Sequence, residues 1–239
     1  DRLSLMRHYD LCVIGSGPGG QKAAIQAAKL GKRACVVEKM QFVGGVAINT
    51  GTIPSKALKE AVLDLKATQR ALEGLGAGAP TIDRHTQLST LTASCQRVIR
   101  AEIDVVRKHF SSNGIDVIQG TGAMAGPDTV VVETATGIET VGAKYICIAT
   151  GTTPAKPANV PFDENRIITS DEILKLPYLP QSMIVVGGGV IGTEYASMLA
   201  ALGVRVTLIE GRDRLLDFLD REVCEALQYH LRQTGATLR

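Results

Sequence analysis

Hydrophobic positions fall into short continuous runs in some parts of the chain and into helical stripes in others. The runs 11–14, 34–37 and 183–186 are apolar throughout, which predicts short buried strands. Residues 55–72 and 86–113 instead repeat apolar positions at helical spacing, so each segment is predicted to be an amphipathic helix that packs in the core. The second of these stripes consists of Leu88, Leu91, Cys95, Val98, Val106 and Phe110.

The segments that follow the second stripe are predicted to be β structure. Short strands are expected at IDVI, at TVVVET and IETV around an Ala-Thr-Gly turn, and at KYICIA. Residues 153–182 are rich in proline and polar residues, so they are predicted to be a linker to a second unit.

The chain contains two copies of one strand–turn–helix–strand pattern. Residues 11–20 read LCVIGSGPGG and residues 183–192 read MIVVGGGVIG, so each apolar strand leads into a GxGxxG sequence. An acidic residue ends the next strand in both copies, Glu38 after RACVV and Glu210 after RVTLI. The same 172 residues separate the two acids and the first glycines of the two copies. A repeated unit of this kind is a strong signal for two dinucleotide sites.

Each residue type in this pattern has a physical reason. The first glycine permits a tight turn, the second lets the backbone approach a pyrophosphate, and the third lets the helix pack closely on the strand. The glycines concerned are Gly15, Gly17 and Gly20, with Pro18 between them, and then Gly187, Gly189 and Gly192. The helix N-terminus attracts phosphates, and the acid would accept hydrogen bonds from ribose hydroxyls. The plainer interpretation is a glycine-rich turn with a solvated glutamate, and the repeat argues against it.

Composition narrows the function classes. The chain has 239 residues, 45% of them hydrophobic, and a net charge of +2, which fits a folded protein and gives no basic excess for nucleic acid. Aromatic residues make up only 4%, whereas there are 25 glycines, as expected where backbone approaches a ligand. We expect no membrane span, because no apolar run approaches the roughly 20 residues that a bilayer requires. We expect no metal site, because the histidines have no metal-ligand spacing and the five cysteines form no CxxC pair. The unpaired cysteines also favour a cytoplasmic location.

Two further motifs carry a family resemblance. Residues 44–56 read GGVAINTGTIPSK, and residues 149–151 read ATG. Together with the two GxGxxG sequences, they resemble the two-dinucleotide-binding flavoprotein (pyridine nucleotide-disulfide) oxidoreductase family. The resemblance implies an α/β fold with two Rossmann-like units of the three-layer ββα type, with FAD bound by 1–152 and NAD or NADP by 153–239. Family members continue into a dimerisation domain, so the second unit is expected to be incomplete here and the longer protein a homodimer.

The resemblance also implies which residues contact the flavin nucleotide. Gly122 and Ala123 would lie beside the adenine, although Gly122 is equally consistent with an ordinary turn. The remaining candidates, besides the first GxGxxG and Glu38, are Lys39, Gly44, Gly45, Ala47, Thr52, Lys56, Ala149, Thr150 and Gly151.

The positions of the family's redox cysteines decide much of the predicted chemistry. Ala47 and Thr52 occupy them, and neither side chain can attack or leave as a thiol does. Reduction of a disulfide substrate is therefore not expected, and electrons are expected to leave the flavin for a second nicotinamide, a quinone, oxygen or a dye. GTIPSK in place of GCIPSK resembles the transhydrogenase subgroup of the family.

Lys56 and Glu194 are the predicted catalytic residues. By resemblance, Lys56 would lie beside the flavin N5, where an ammonium stabilises negative charge, and Glu194 would hold it there. The alternative is two ordinary helix-start residues with solvated heads.

Glu210 favours NAD, because a carboxylate repels a 2′-phosphate. Arg212 and Arg214 follow at once, and arginine binds phosphate bidentately, so NADP is also predicted to be accommodated. The alternative is two solvated arginines after a strand.

The leading hypothesis is an FAD-dependent enzyme that transfers hydride between NADPH or NADH and NAD or NADP without a redox disulfide. The first alternative is an NAD(P)H:quinone or dye oxidoreductase. A non-catalytic flavin-binding fragment is the alternative of another class.

Overall fold

The computed structural model describes residues 6–76 and 84–239, with the side chains of 84–87 left aside. The chain forms two compact units. The first comprises Asp1–Pro54 and Arg97–Thr153, and the second comprises Ser55–Gln96 and Pro154–Arg239. None of the helices within the described ranges is long and apolar enough to cross a membrane.

The first unit is built on a six-stranded sheet. In chain order its strands are β1 (Arg7–Ile14), β2 (Ala34–Glu38), β3 (Asp116–Gln119), β4 (Thr121–Met124), β5 (Thr129–Thr134) and β6 (Gly137–Ile148). The order across the sheet is β3-β2-β1-β6-β5-β4, with β3, β2, β1 and β6 parallel and the last two antiparallel. The helices are α1 (Pro18–Lys29), α2 (Gly45–Asn49), the start of α3 (Thr52–Gly74) and the end of α4 (Arg84–Ser112).

Strand β6 differs from the prediction. IETV and KYICIA were expected to be separate strands, but they form one strand of 12 residues. Its first part pairs antiparallel with β5 and its second part pairs parallel with β1, so one strand serves two neighbours. The prediction also lacked β4, which carries Gly122 and Ala123 and pairs with β5.

The two faces of β1 and β2 pack against different layers, because successive strand residues point to opposite sides. Val13 and Val36 lie in a cluster with Ala24 of α1 and the buried residues of α4. On the other face, the β1 and β2 side chains lie in a cluster with Val130 and Val132 of β5. Helices, parallel sheet and antiparallel strands thus form three layers, which confirms the ββα arrangement.

The second unit contains a three-stranded parallel sheet in the order β7-β8-β9. Its elements are a 3₁₀ helix (Ser170–Lys175), β7 (Ser182–Val186), α5 (Val190–Ala201), β8 (Arg205–Ile209), α6 (Arg221–Gln233) and β9 (Thr237–Leu238), together with most of α3 and the start of α4. Ile173 and Leu179 are buried in its core, so the segment predicted as a linker is in part a packed element.

Helix α4 contributes to the cores of both units. Leu88, Leu91 and Cys95 belong to the core cluster of the second unit, as the predicted stripe required. Val98 was predicted to continue this stripe but is 41% exposed, and Ile99 is buried in the first unit's core instead. The buried face continues from Cys95 to Ile99, a step of four residues, and not to Val98, a step of three. Both steps are compatible with one face of a helix, so the apolar spacing alone does not decide between them.

Candidate functional site

The first GxGxxG forms a turn that only glycine fits. Gly15 has a φ of +108°, and a Cβ on it would lie 2.2 Å from the carbonyl oxygen of Ala149. A Cβ on Gly20 would lie 2.0 Å from the carbonyl oxygen of Gly15, because α1 packs tightly on the turn. Helix α1 then begins at Pro18 directly after Gly17. The turn and the helix N-terminus are therefore arranged as in a pyrophosphate site.

Gly44 and Gly45 approach the same turn. A Cβ on Gly45 would lie 2.7 Å from the Cα of Gly17, so two glycine-bearing backbone segments meet without side chains between them. Gly44 donates its N–H to the Ser16 hydroxyl at 2.9 Å. The GGVAINTG segment is thus tied directly to the first turn.

Glu38 is buried, with 5% of its surface exposed. Its carboxylate accepts from the Ser16 N–H at 3.0 Å, from the Ser16 hydroxyl, and from the Met40 N–H at 2.8 Å. An ionised carboxylate offers about four acceptor positions. Within the described part of the chain, these three donors therefore leave one position for a ligand hydroxyl.

The two positions that the family resemblance assigns to the redox cysteines lie on the two helices after this turn. Ala47 is in α2 and Thr52 begins α3, so both predicted positions follow the glycine-bearing segment closely. A methyl group and a hydroxyl group stand where a thiol pair would be required for disulfide chemistry.

Lys56 and Glu194 form an ion pair within the second unit. The Lys56 ammonium, in the first turns of α3, contacts Oε1 of Glu194, which lies in the first turns of α5. The Ser55 hydroxyl donates to the other carboxylate oxygen, Oε2, at 3.2 Å. The Glu194 side chain is only 19% exposed, compared with 57% for Lys56. A mostly buried carboxylate thus holds a more exposed ammonium in place.

The second GxGxxG repeats the geometry of the first. Gly187 has a φ of +107°, and a Cβ on Gly192 would lie 2.0 Å from its carbonyl oxygen. The Gly187 N–H donates to the Ile209 carbonyl at 2.8 Å, just as the Gly15 N–H donates to a β2 carbonyl at 2.8 Å. Gly189 precedes the first residue of α5. Both turns therefore have the same backbone form.

Glu210 differs from Glu38 in its partners. Its Oε2 accepts from the Gly188 N–H at 2.7 Å and from Nη2 of Arg212 at 3.1 Å, and its Oε1 accepts from N and Nε of Arg212, both at 3.0 Å. Arg212 also donates from Nη1 to Oδ1 of Asp217 at 2.7 Å. The Arg212 side chain, followed by the backbone N–H groups, lowers the pKa of Glu210 to about 2.

The remaining residues predicted to contact the cofactor differ in their burial. Gly122 packs on the sheet, since a Cβ there would lie 3.1 Å from Val37 Cγ1, whereas Ala123 beside it is exposed. Thr150 and Gly151 follow the end of β6, beside the first turn, and Gly151 has a φ of +70°. Lys39 is exposed directly after Glu38.

Sequence reasoning did not single out Ser16, Ser55 or Asp217. Ser16 occupies the second position of GxGxxG, which the pattern leaves open, and its partners lie 22 and 28 residues away. Asp217 follows Arg212 by five residues in an irregular loop, so no helical spacing marks the pair. No sequence signal identified these contacts.

Comparison with known proteins identifies the family of this chain. The family model described as pyridine nucleotide-disulphide oxidoreductase matches residues 9–239. The chain belongs to this family. The predicted family resemblance and the predicted α/β fold with two Rossmann-like units are therefore confirmed.

Curated members of the pyridine nucleotide-disulphide oxidoreductase family match almost the entire chain. A soluble pyridine nucleotide transhydrogenase of Mycobacterium bovis (strain BCG / Pasteur 1173P2) is 55% identical over 237 residues, covering 98% of this chain and 50% of the relative. The protein of the same name from Marinomonas sp. (strain MWYL1) is 43% identical over 234 residues, again covering 98% and 50%. The chain thus spans about half the length of the curated relatives it matches.

A solved structure of similar fold is the HOCl-induced flavoprotein disulfide reductase RclA from Escherichia coli, in a Cu(II) complex. It has a TM-score of 0.80 and 27% sequence identity, over 98% of this chain and 49% of that protein.

Proposed function

We propose that this chain carries the FAD site and part of the NAD(P) site of an enzyme that transfers hydride between NADPH or NADH and NAD or NADP, without a redox disulfide. One observation carries the proposal: both GxGxxG turns have the glycine-dependent geometry, whereas the segment that resembles the family's redox motif has Ala47 and Thr52 and no cysteine. The names of the relatives that are 55% and 43% identical support the same reaction.

In this proposal residues 1–152 bind FAD and residues 153–239 bind the nicotinamide nucleotide. The site residues are those that the family resemblance implies. The first unit fits a dinucleotide in two respects. Gly17 and Gly45 form a side-chain-free cradle that a Cβ would fill, and the Glu38 carboxylate keeps one acceptor position for a ribose hydroxyl. The N-terminus of α1 supplies N–H donors and partial positive charge for phosphate.

Lys56 is the residue proposed to assist the chemistry. The flavin, when bound, supplies the hydride acceptor and donor. The chain contributes an ammonium that the Glu194 carboxylate holds in position, and the Ser55 hydroxyl donates to the other oxygen of that carboxylate. A fixed positive charge favours electron density accumulating beside it, without reorganisation during the reaction. Ala47 and Thr52 cannot form a disulfide that would accept the electrons, so a second nucleotide is the proposed acceptor.

The longer protein is proposed to be a cytoplasmic homodimer. Family resemblance carries this step, since family members pair through a domain that follows the second nucleotide unit. Sedimentation of the longer protein at micromolar concentration tests it, and a monomer would contradict it.

The proposed reaction is tested with purified protein, first by its visible flavin spectrum and then by hydride transfer from NADPH to thio-NAD. The expected result is a yellow protein that reduces thio-NAD, and adding a quinone should not be required. A yellow protein that transfers electrons to quinone but not to thio-NAD would replace this proposal with the quinone oxidoreductase alternative. A colourless protein that takes up no FAD would refute both.

A further inference from the structure

The Glu210 carboxylate has its full set of hydrogen-bond donors before any nucleotide arrives. Four donors reach it, two on each oxygen. This number equals the roughly four positions that an ionised carboxylate offers. The corresponding acid of the first unit, Glu38, receives only three from the described residues. Glu210 therefore has no position for a ribose hydroxyl while this arrangement lasts.

The four donors are of two kinds. The N–H groups of Gly188 and Arg212 belong to the backbone and stay in place when a side chain rotates. Nε and Nη2 belong to the Arg212 guanidinium, whose side chain is 51% exposed and has room to move. Displacing the guanidinium would free one position on each carboxylate oxygen, which matches the two hydroxyls of an adenosine ribose.

Asp217 holds the same guanidinium from its other side. Nη1 of Arg212 donates to Asp217 at 2.7 Å and takes no part in the contact with Glu210. The Arg212 guanidinium therefore bonds two carboxylates at once, and breaking its contact with Glu210 leaves its contact with Asp217 intact. The Arg214 side chain donates to the Asp217 backbone carbonyl at 3.0 Å, which ties Asp217 into the loop. Asp217 thus provides a fixed second position for the Arg212 side chain.

We propose that Arg212 is a movable cap on Glu210, and that Asp217 is the positioning residue that sets the balance between NAD and NADP. This inference rests on the proposed function. When NAD binds, the ribose diol takes the two positions on Glu210, and the guanidinium stays with Asp217. When NADP binds, the guanidinium leaves both carboxylates for the 2′-phosphate, which arginine binds bidentately. One site then binds both nucleotides, because the Arg212 guanidinium changes its hydrogen-bond partners when the nucleotide changes.

The two residues have opposite effects on selectivity, which makes the inference testable. In R212Q the cap is removed, so the dissociation constant for NAD should fall and that for NADP should rise. Their ratio, NADP over NAD, should increase about tenfold or more. In D217N the guanidinium loses an anionic partner that competes with the 2′-phosphate, so the same ratio should fall about threefold. Isothermal titration calorimetry with NAD and NADP measures both constants on the purified longer protein.

Arg221 provides the matched control. It also pairs with a carboxylate, that of Glu225, but on the exposed surface of α6. R221Q makes the same change of charge, and its ratio should equal that of the wild type. Carbon-13 NMR of the Glu210 carboxyl gives a second measurement without nucleotide, and its pKa should rise from about 2 towards the usual value near 4.5 in R212Q.

Three outcomes overturn the inference. An unchanged ratio in R212Q, with both nucleotides still bound, would show that the guanidinium is no cap and would leave the proposed function standing. A changed ratio in R212Q combined with an unchanged ratio in D217N would show that Asp217 does not set the balance between NAD and NADP. A wild-type protein that binds neither nucleotide would refute the proposed function and this inference together.

Discussion

The Ser16 hydroxyl links the first dinucleotide turn to the segment that follows β2, and it can be removed without adding volume. Ser16 is fully buried; it donates to the Glu38 carboxylate and accepts from the Gly44 N–H. In S16A both groups lose this partner. Glu38 keeps its two backbone donors, whereas the Gly44 N–H loses the acceptor to which it is tied at 2.9 Å.

The expected cost follows from the burial of these groups. A buried polar group left without a partner costs about 1–3 kcal/mol, and bonds to charged groups lie in the upper part of this range. Two groups are affected here, but Glu38 retains part of its set. We therefore expect S16A to lower the free energy of unfolding by roughly 2–4 kcal/mol. FAD uptake should weaken as well, since the Gly44–Gly45 segment loses its connection to the turn.

Urea unfolding followed by circular dichroism measures the change, and hydrogen exchange at the Gly44 amide reports it locally. Ser111 offers a matched control, because it is exposed and its hydroxyl donates to the carbonyl of Lys108 in its own helix. S111A should change the unfolding free energy by less than about 0.5 kcal/mol. If S16A cost no more than S111A and left Gly44 exchange unchanged, the network would contribute nothing and the reasoning would fail.

Three further predictions concern the remaining site residues. K56M should slow hydride transfer about tenfold or more while FAD stays bound, whereas K59M, an exposed lysine on the same helix, should match the wild type in stopped-flow assays. G20A should lower the free energy of unfolding by about 3 kcal/mol or prevent folding, because its Cβ would lie 2.0 Å from a backbone oxygen. Thermal melting measures the change, and G19A, whose Cβ would meet nothing within 4 Å, should be neutral or slightly stabilising. The pKa of Glu210 is lowered to about 2, so its ion pair with Arg212 should be complete above about pH 4.5 and lost as the pH falls through about 2. An NMR titration of the Glu210 carboxyl measures this, and a midpoint near 4.5 would contradict the prediction.

The two dinucleotide turns were predictable because their determinants are local. Each turn is formed by residues within about ten positions. Glycine is favoured where φ is positive and required where a carbonyl lies against the Cα, and Gly15 meets both conditions. The repeat added the second piece of information, since it matched turn to turn and acid to acid. Family membership and the α/β class followed from these motifs, and both were confirmed.

The β structure of the first unit was predicted less well for a physical reason. β4 reads TGAM, which has little apolar alternation, and it is a strand because β5 offers it hydrogen-bond partners. β6 is continuous because its two parts pair with different strands. Strand pairing of this kind is a long-range contact, and a single sequence contains no direct record of it.

The amino-acid sequence was enough to identify the two GxGxxG turns, the acids that end their second strands, and the absence of a cysteine from residues 44–56. Residue identity alone decides these features, since backbone freedom and thiol chemistry are properties of single residues. Only the tertiary structure decided the partners of those acids. Glu38 and Glu210 look equivalent in the sequence, yet among the described residues Glu38 receives three donors, whereas Glu210 receives four from Gly188 and Arg212. The acceptor positions that remain on each carboxylate depend on which donors the fold brings within hydrogen-bond distance, and that is a property of the folded chain.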